Sequence, residues 1–269
     1  MKYSMVLRMA ALNNVRIGHW EFSDADHDAF MVKRLACVMW CTAFRLGEIV
    51  YHPSGEIMFL TYESLSWSIG GVIYTNPTRA QLNSMRPGMD FARLAPPRAK
   101  PDQWGEIHCP FSATLTLHEE PGNAAAALRE LVLRRPVPED ERATTPLFHD
   151  ETYKPYSHAK LDSFLKRILT FLFGKAVASV FTWHSFRSGL ATALHAAGVP
   201  DAMVQLICRW MCPESLHVYR RMGTAEHEVN IRKAMTTNVD SIQSANVPRI
   251  SADQGYAQLV TGSTLRAQR

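Results

Sequence analysis

Between Asp26 and Phe44 the apolar residues Phe30, Val32, Leu35, Ala36, Val38 and Met39 recur at helical intervals, behind three capping candidates, Ser23, Asp24 and Asp26. The pattern predicts a helix that ends near Arg45, and the rest of the chain must pack around it. Short runs with strand character follow: Ile57–Tyr62, Gly71–Tyr74, Asp90–Leu94 and Glu106–Phe111, separated by Pro, Gly and Asn. They predict a small antiparallel sheet inserted between helices.

The helical signal then returns. Residues 123–135 (NAAAALRELVLRR) are strong helix formers with arginines in the last turn, where the helix dipole favours them. The segment PVPEDER breaks that helix. Further helices are expected over 157–173, from His184 to Gly198, from Pro200 to about Trp210, and from about Ala225 to Ser244. The order predicts one mostly helical α+β domain over residues 26–245. Residues 1–25 are expected as an N-terminal extension or linker remnant, and 246–269 as a polar tail.

Charge narrows the function only weakly. Lys and Arg number 29 against 25 Asp and Glu, a formal charge of +4, which permits an anionic partner without demanding one. No apolar run approaches the roughly 20 residues that span a bilayer, so no membrane partner is expected. The first residues lack an apolar stretch followed by a small-residue cleavage site, which predicts an intracellular protein, nuclear if its source is eukaryotic and otherwise cytoplasmic. The five cysteines are odd in number, and Cys37 with Cys41 and Cys208 with Cys212 sit at one-turn spacing. Reduced thiols are the expectation. Cys208, Cys212 and His217 lack a fourth ligand and a recognised zinc spacing, so no metal site is expected.

The chemistry concentrates between His184 and Met222, in HSFRSGLATALHAAGVPDAMVQLICRWMCPESLHVYRRM. His184 and Arg187 lie three apart on one helix, which lets both reach a common anion. Trp210 and Tyr219 follow nine apart, and Pro213 and Glu214 interrupt the chain between them. Earlier, TAFRLGE places Arg45 at a helix end with Glu48 three residues on, and PPRAKPDQWGE carries Lys100. Singly, each has a plain explanation: a dipole-matched arginine, a surface histidine, a core tryptophan, an amphipathic tyrosine, a solvated lysine.

Together they resemble the tyrosine recombinase, or phage integrase, family. Its signature is an arginine at a helix end in a pattern such as T-G-x-R-x-x-E, then H-x-x-R, then His or Trp, then a nucleophilic Tyr nine residues further on. Arg45, His184, Arg187, Trp210 and Tyr219 match in identity and order, and Lys100 matches the β-hairpin lysine more loosely. The resemblance covers about residues 26–240. It departs at Cys208-Arg209-Trp210, where many members have a Gly-containing triplet, and family members carry a helical core-binding domain ahead of the catalytic one.

The resemblance implies a site-specific recombinase or integrase that acts on double-stranded DNA as a homo-oligomer, a tetrameric synapse, with the helix after Tyr219 docking on a neighbouring protomer. Tyr219 would attack the phosphodiester, leaving a 3′-phosphotyrosine and a free 5′-hydroxyl. Arg45 and Arg187 suit the non-bridging oxygens because their planar forks match phosphate. His184 could relay the Tyr219 proton or bind a phosphate oxygen. Lys100 would protonate the departing 5′-oxygen, and Trp210 would pack or hydrogen-bond at the phosphate. Arg45, Lys100 and Arg187 are also the expected DNA contacts. The covalent intermediate stores the bond energy, so no cofactor and no metal are required. Three alternatives remain: a recombinase relic that binds DNA without turnover, a helix-turn-helix module over residues 191–210, and a type IB topoisomerase.

Overall fold

The computed structural model describes residues 1–50, 59–97, 112–209 and 224–239. Met1–Thr237 forms one compact unit, separate from Asn238–Arg269, and holds every element described below. It is a helix-dominated α+β fold with two small antiparallel sheets. Among the described residues no helix is long and apolar enough to cross a membrane.

The central element is α2 (His27–Thr42). Asp26 is its cap: the carboxylate accepts from the Ala29 amide at 2.7 Å and from the Trp20 indole at 3.0 Å. Nearly every residue of α2 is buried, because α1 (Tyr3–Ala10), α4 (Ala124–Arg134) and α6 (His184–Ala196) pack around it. A helix enclosed this way must neutralise its charges internally. Lys33 and Arg34 are buried but reach Asp24 at 3.0 and 2.8 Å, and Arg34 also reaches Glu130 on α4.

Residues 1–25 are not an extension. Met5, Val6 and Met9 of α1 are core residues, and Tyr3 packs on Trp40 of α2 with ring centroids 4.5 Å apart. The hairpin β1 (Val15–Ile17) and β2 (Trp20–Phe22) is held to α5 (His158–Val180). There Trp20 stacks on Phe164, and Arg167 donates to the Ile17 carbonyl at 2.9 Å. The short periods of these elements, three residues per strand and eight for the helix, give little sequence signal of their own.

The larger sheet runs in the order β4-β3-β5-β6, all antiparallel: β3 (Leu65–Ile69), β4 (Val72–Tyr74), β5 (Phe91–Leu94) and β6 (Ala113–Thr116). Its inner face buries Leu65, Trp67, Ala92, Leu94 and Leu115. Gly70 and Gly71, both at positive φ, form the two-residue turn between β3 and β4. The strands expected near 71–74 and 90–94 are present, whereas of the one expected over Ile57–Tyr62 the described residues, 59–62, form no strand. Thr61 makes only an isolated bridge to Pro146, and Tyr62–Ser64 is a 3-10 turn. The amides of Tyr62 and Glu63 donate to the loop carbonyls of Thr145 and Arg142, so a loop occupies the place of a neighbouring strand. The strand expected over Glu106–Phe111 lies outside the described residues.

α5 buries Leu161, Phe164, Leu165, Ile168 and Leu169, one face at helical spacing. Gly174 (φ 84°, ψ 165°) breaks it just after the expected end at Phe173, and residues 175–180 continue as a second helical piece. α6 stops at Ala196 with Gly198 in the left-handed region, and α7 (Asp201–Cys208) starts after Pro200. The last helix among the described residues, α8 (Thr224–Thr236), ends before Asn238, short of the expected 225–244. It packs on α6 and β6 of its own chain, through Ile231, Ala234 and the buried His227, whose Nδ1 lies 2.9 Å from the Thr114 carbonyl.

Candidate functional site

The site begins where α2 ends. The backbone at Ala43 turns left-handed (φ 53°, ψ 27°), an arrangement that costs a Cβ-bearing residue about 1–2 kcal/mol. The turn directs the Ala43 carbonyl to Arg187 on α6, whose Nη1 donates to it at 2.8 Å. Arg45, two residues on, is extended, with its side chain about two-fifths exposed. The next three residues, Leu46–Glu48, form a 3-10 turn that brings the Glu48 carboxylate back under Arg45, whose amide donates to Glu48 Oε2 at 2.6 Å.

Glu48 is buried and serves a second partner. Arg209 Nη2 donates to the same oxygen at 2.8 Å, and the Arg209 guanidinium lies over the Phe44 ring, 4.4 Å from its centroid. Arg209 caps α7 in the left-handed conformation (φ 51°, ψ 47°). That backbone is one glycine takes more readily than a residue with a Cβ. An arginine is held there by its ion pair and by the aromatic face beneath it.

Arg187 completes the cluster. It is almost fully buried, and burial first, then the positive charges of Arg45 and Arg209, push its pKa down from the usual arginine value. Cys208 and Glu48 act in the opposite direction, and burial raises the Cys208 thiol. Two guanidiniums thus contact one carboxylate, and the Arg187 guanidinium, bonded to the nearby Ala43 carbonyl, feels the charges of all three. An excess of buried or half-buried positive charge is costly in isolation, and an arrangement of this kind favours an anion.

The structure brings Arg45 and Arg187 together and adds two residues. Glu48 was singled out in the sequence as an acidic position of a motif. Arg209 was visible only as a departure from a glycine-containing triplet, and that departure was the one signal that could have found it.

His184 occupies a different environment from Arg187. The first turn of α6 is set by Thr182, whose amide donates to Ser185 Oγ at 3.0 Å and whose carbonyl accepts from the Ser185 amide at 2.9 Å. Trp183 and Phe186 stack 5.1 Å apart on the buried side, next to Arg187. His184 is left on the exposed side, one turn before Arg187.

Lys100, Trp210 and Tyr219 lie outside the described residues, as do Cys212 and His217. Among the described residues no group of three His, Cys, Asp or Glu side chains is placed to hold a metal ion, and Cys37, Cys41 and Cys208 are buried free thiols. No family model matches the chain, and no curated protein or solved structure is found to be similar to it.

Proposed function

We propose that this chain is the catalytic domain of a tyrosine recombinase, with an integrase-like helical fold, that cuts and rejoins double-stranded DNA through a 3′-phosphotyrosine. The observation that carries the reading is the cluster of Arg45 and Arg187. The two arginines of the motif come from elements far apart in sequence, yet share one charged neighbourhood with Glu48. Random surface arginines have no reason to converge in this way.

The mechanism follows from the groups. A tyrosine hydroxyl with an ordinary pKa near 10 is ionised in only about one molecule in a thousand at neutral pH, so Tyr219 needs its proton removed as it attacks. The phenol oxygen of Tyr219 bonds to phosphorus and the bond from phosphorus to the 5′-oxygen breaks. Arg45 and Arg187 neutralise the charge that builds on the non-bridging oxygens. A phosphate bound by both would lie beside the first turn of α6, where the exposed His184 is within a turn of Arg187 and can take the tyrosine proton or hold an oxygen. Lys100 supplies the proton to the leaving 5′-hydroxyl, and Trp210 packs against the phosphate. Rejoining is the reverse, so the protein works as a homo-oligomer on DNA, four protomers completing one exchange.

The helix-turn-helix reading is less well supported. α6, Gly198, Pro200 and α7 follow its plan, but a recognition helix presents its N-terminal residues to base edges. Here that end carries the exposed Asp201, which a DNA groove would repel.

The test is a duplex with a nick placed so that the cleaved 5′-hydroxyl fragment diffuses away. The expected result is a covalent protein–DNA adduct that is absent from Tyr219→Phe. Binding with no adduct would favour a DNA-binding relic, and site-independent relaxation of supercoiled DNA a type IB topoisomerase.

A further inference from the structure

We infer that the cleft between α2 and α4 is a binding site for a free basic α-amino acid, arginine or lysine, which gives its carboxylate to the cations of the lining and its two positive groups to the acids. The inference is independent of the recombinase reading, since no residue of the Arg45 cluster lines this cleft.

The cleft has a volume of about 590 Å³, within the usual range for small-molecule sites. Its walls come from α2, α4, the end of α1 and the loop between β6 and α4. On its buried side sit Lys33 and Arg34, whose side chains are 7% and 11% exposed. Asp24 and Glu130 pair with them, so these four charges cancel. The pairing still leaves donors unused. An ammonium has three, and among the described residues that of Lys33 meets one acceptor, Asp24 Oδ1 at 3.0 Å. Two N–H groups of a buried cation therefore remain for whatever fills the cleft.

Three further charges on the lining have no partner of opposite sign. Arg129 on α4 is half-buried, and among the described residues its guanidinium makes no hydrogen bond or ion pair. Glu119 and Glu120, exposed on the loop, have no cation bonded to them among the same residues. An arginine fork and spare lysine donors suit a carboxylate. Two acids against one cation leave the lining with one negative charge in excess. The ligand of matching charge carries one carboxylate and two cations, which is the pattern of free arginine or lysine at neutral pH. Met85, Pro87, Leu117 and Pro121 supply apolar surface for the methylene stem that joins those groups. A phosphate ligand fits poorly, because Glu119 and Glu120 would repel it.

The test is isothermal titration calorimetry on the full chain with L-arginine and L-lysine, alongside agmatine, which is arginine without its carboxylate, and with acetate and L-alanine. Arginine or lysine is expected to bind with a Kd at or below about 1 mM. Affinity should fall about tenfold or more in Arg129→Met, which removes the fork, and in the variant carrying both Glu119→Gln and Glu120→Gln, which removes the acids. The two glutamates are exposed, so the second variant keeps the fold and decides the matter if Arg129→Met does not fold.

Agmatine binding as tightly as arginine means that no carboxylate is recognised, and it overturns the inference. Acetate or alanine binding as tightly does the same, as does failure of both basic amino acids to bind. Wild-type affinity in the glutamate variant puts the ligand elsewhere and rejects the site. None of these outcomes depends on DNA or on Tyr219, so the inference and the recombinase reading stand or fall separately.

Discussion

Replacing Glu48 with glutamine tests how much of the site depends on a single negative charge. The side chain is buried and bonded to Arg209 at 2.8 Å, with Arg45 Nη1 at 3.7 Å and the Arg45 amide at 2.6 Å. Glutamine is nearly the same size and keeps an oxygen for the Arg45 amide, so packing is preserved and only charge is lost. Removing one partner of a buried ion pair costs about 3–5 kcal/mol, because the other charge stays buried without compensation. For a unit of this size each kcal/mol moves the melting temperature by roughly 2–4 °C, which puts the expected fall at about 6–20 °C. A domain with an ordinary stability of about 5–15 kcal/mol remains folded at room temperature after such a loss, so the measurement is feasible.

The assay is thermal unfolding of wild type, Glu48→Gln, Arg209→Met and the double variant at constant ionic strength. The double variant should lose less than the sum of the single losses, since the second change removes the charge that the first left stranded. Inorganic phosphate should recover part of the Glu48→Gln loss, by supplying the anion that Arg45 and Arg209 then lack. A fall under about 1 kcal/mol, the value of an exposed pair, with no coupling between the two sites, would refute the account of a buried, charge-balanced cluster.

Arg187→Lys keeps the charge but replaces the fork that meets Ala43; adduct formation should fall by about two to three orders of magnitude while DNA affinity changes only a few-fold, and equal losses in both would argue for a purely binding role. Burial pushes His227 down to about 4, the bond to Thr114 only partly opposing this, so the neutral form is the one the fold accepts. Above pH 6.5 its full contribution is present, and as pH falls from about 6.5 towards 4 the unfolded chain binds the proton first and about 3 kcal/mol is lost. A His227→Gln variant should show a flatter stability profile over that range, and an identical slope would reject the assignment. Gly174→Ala meets no atom within 4 Å, yet its φ of 84° with ψ of 165° belongs to glycine; it should cost about 1–3 kcal/mol in chemical denaturation, and a neutral result would mean that the break in α5 relaxes freely.

Much of the helical framework was legible because it is written locally. α2 announces itself by apolar spacing and by Asp26 as a cap, α4 by its run of strong helix formers with arginines in the last turn, and α6 by Gly198 beyond its end. The sheet was half legible: the strands at 72–74 and 91–94 were expected, but β6 was not, and Tyr62 went to a 3-10 turn because its amide finds a loop carbonyl. The first 25 residues were misjudged because α1 is short and owes its helix to packing on α2 rather than to its own pattern.

The candidate site divides the same way. Residue identity, order and spacing suffice to pick out Arg45, His184 and Arg187, because an arginine suited to phosphate and a histidine one turn from another arginine are properties of the chain itself. That Arg187 is buried against the Ala43 carbonyl, that Arg209 takes a left-handed cap, and that Glu48 joins two guanidiniums were decided only by tertiary structure. The reason is physical: the energy of a charge depends on how far it is from water and on which other charges lie within a few ångströms, and neither quantity is carried by sequence spacing.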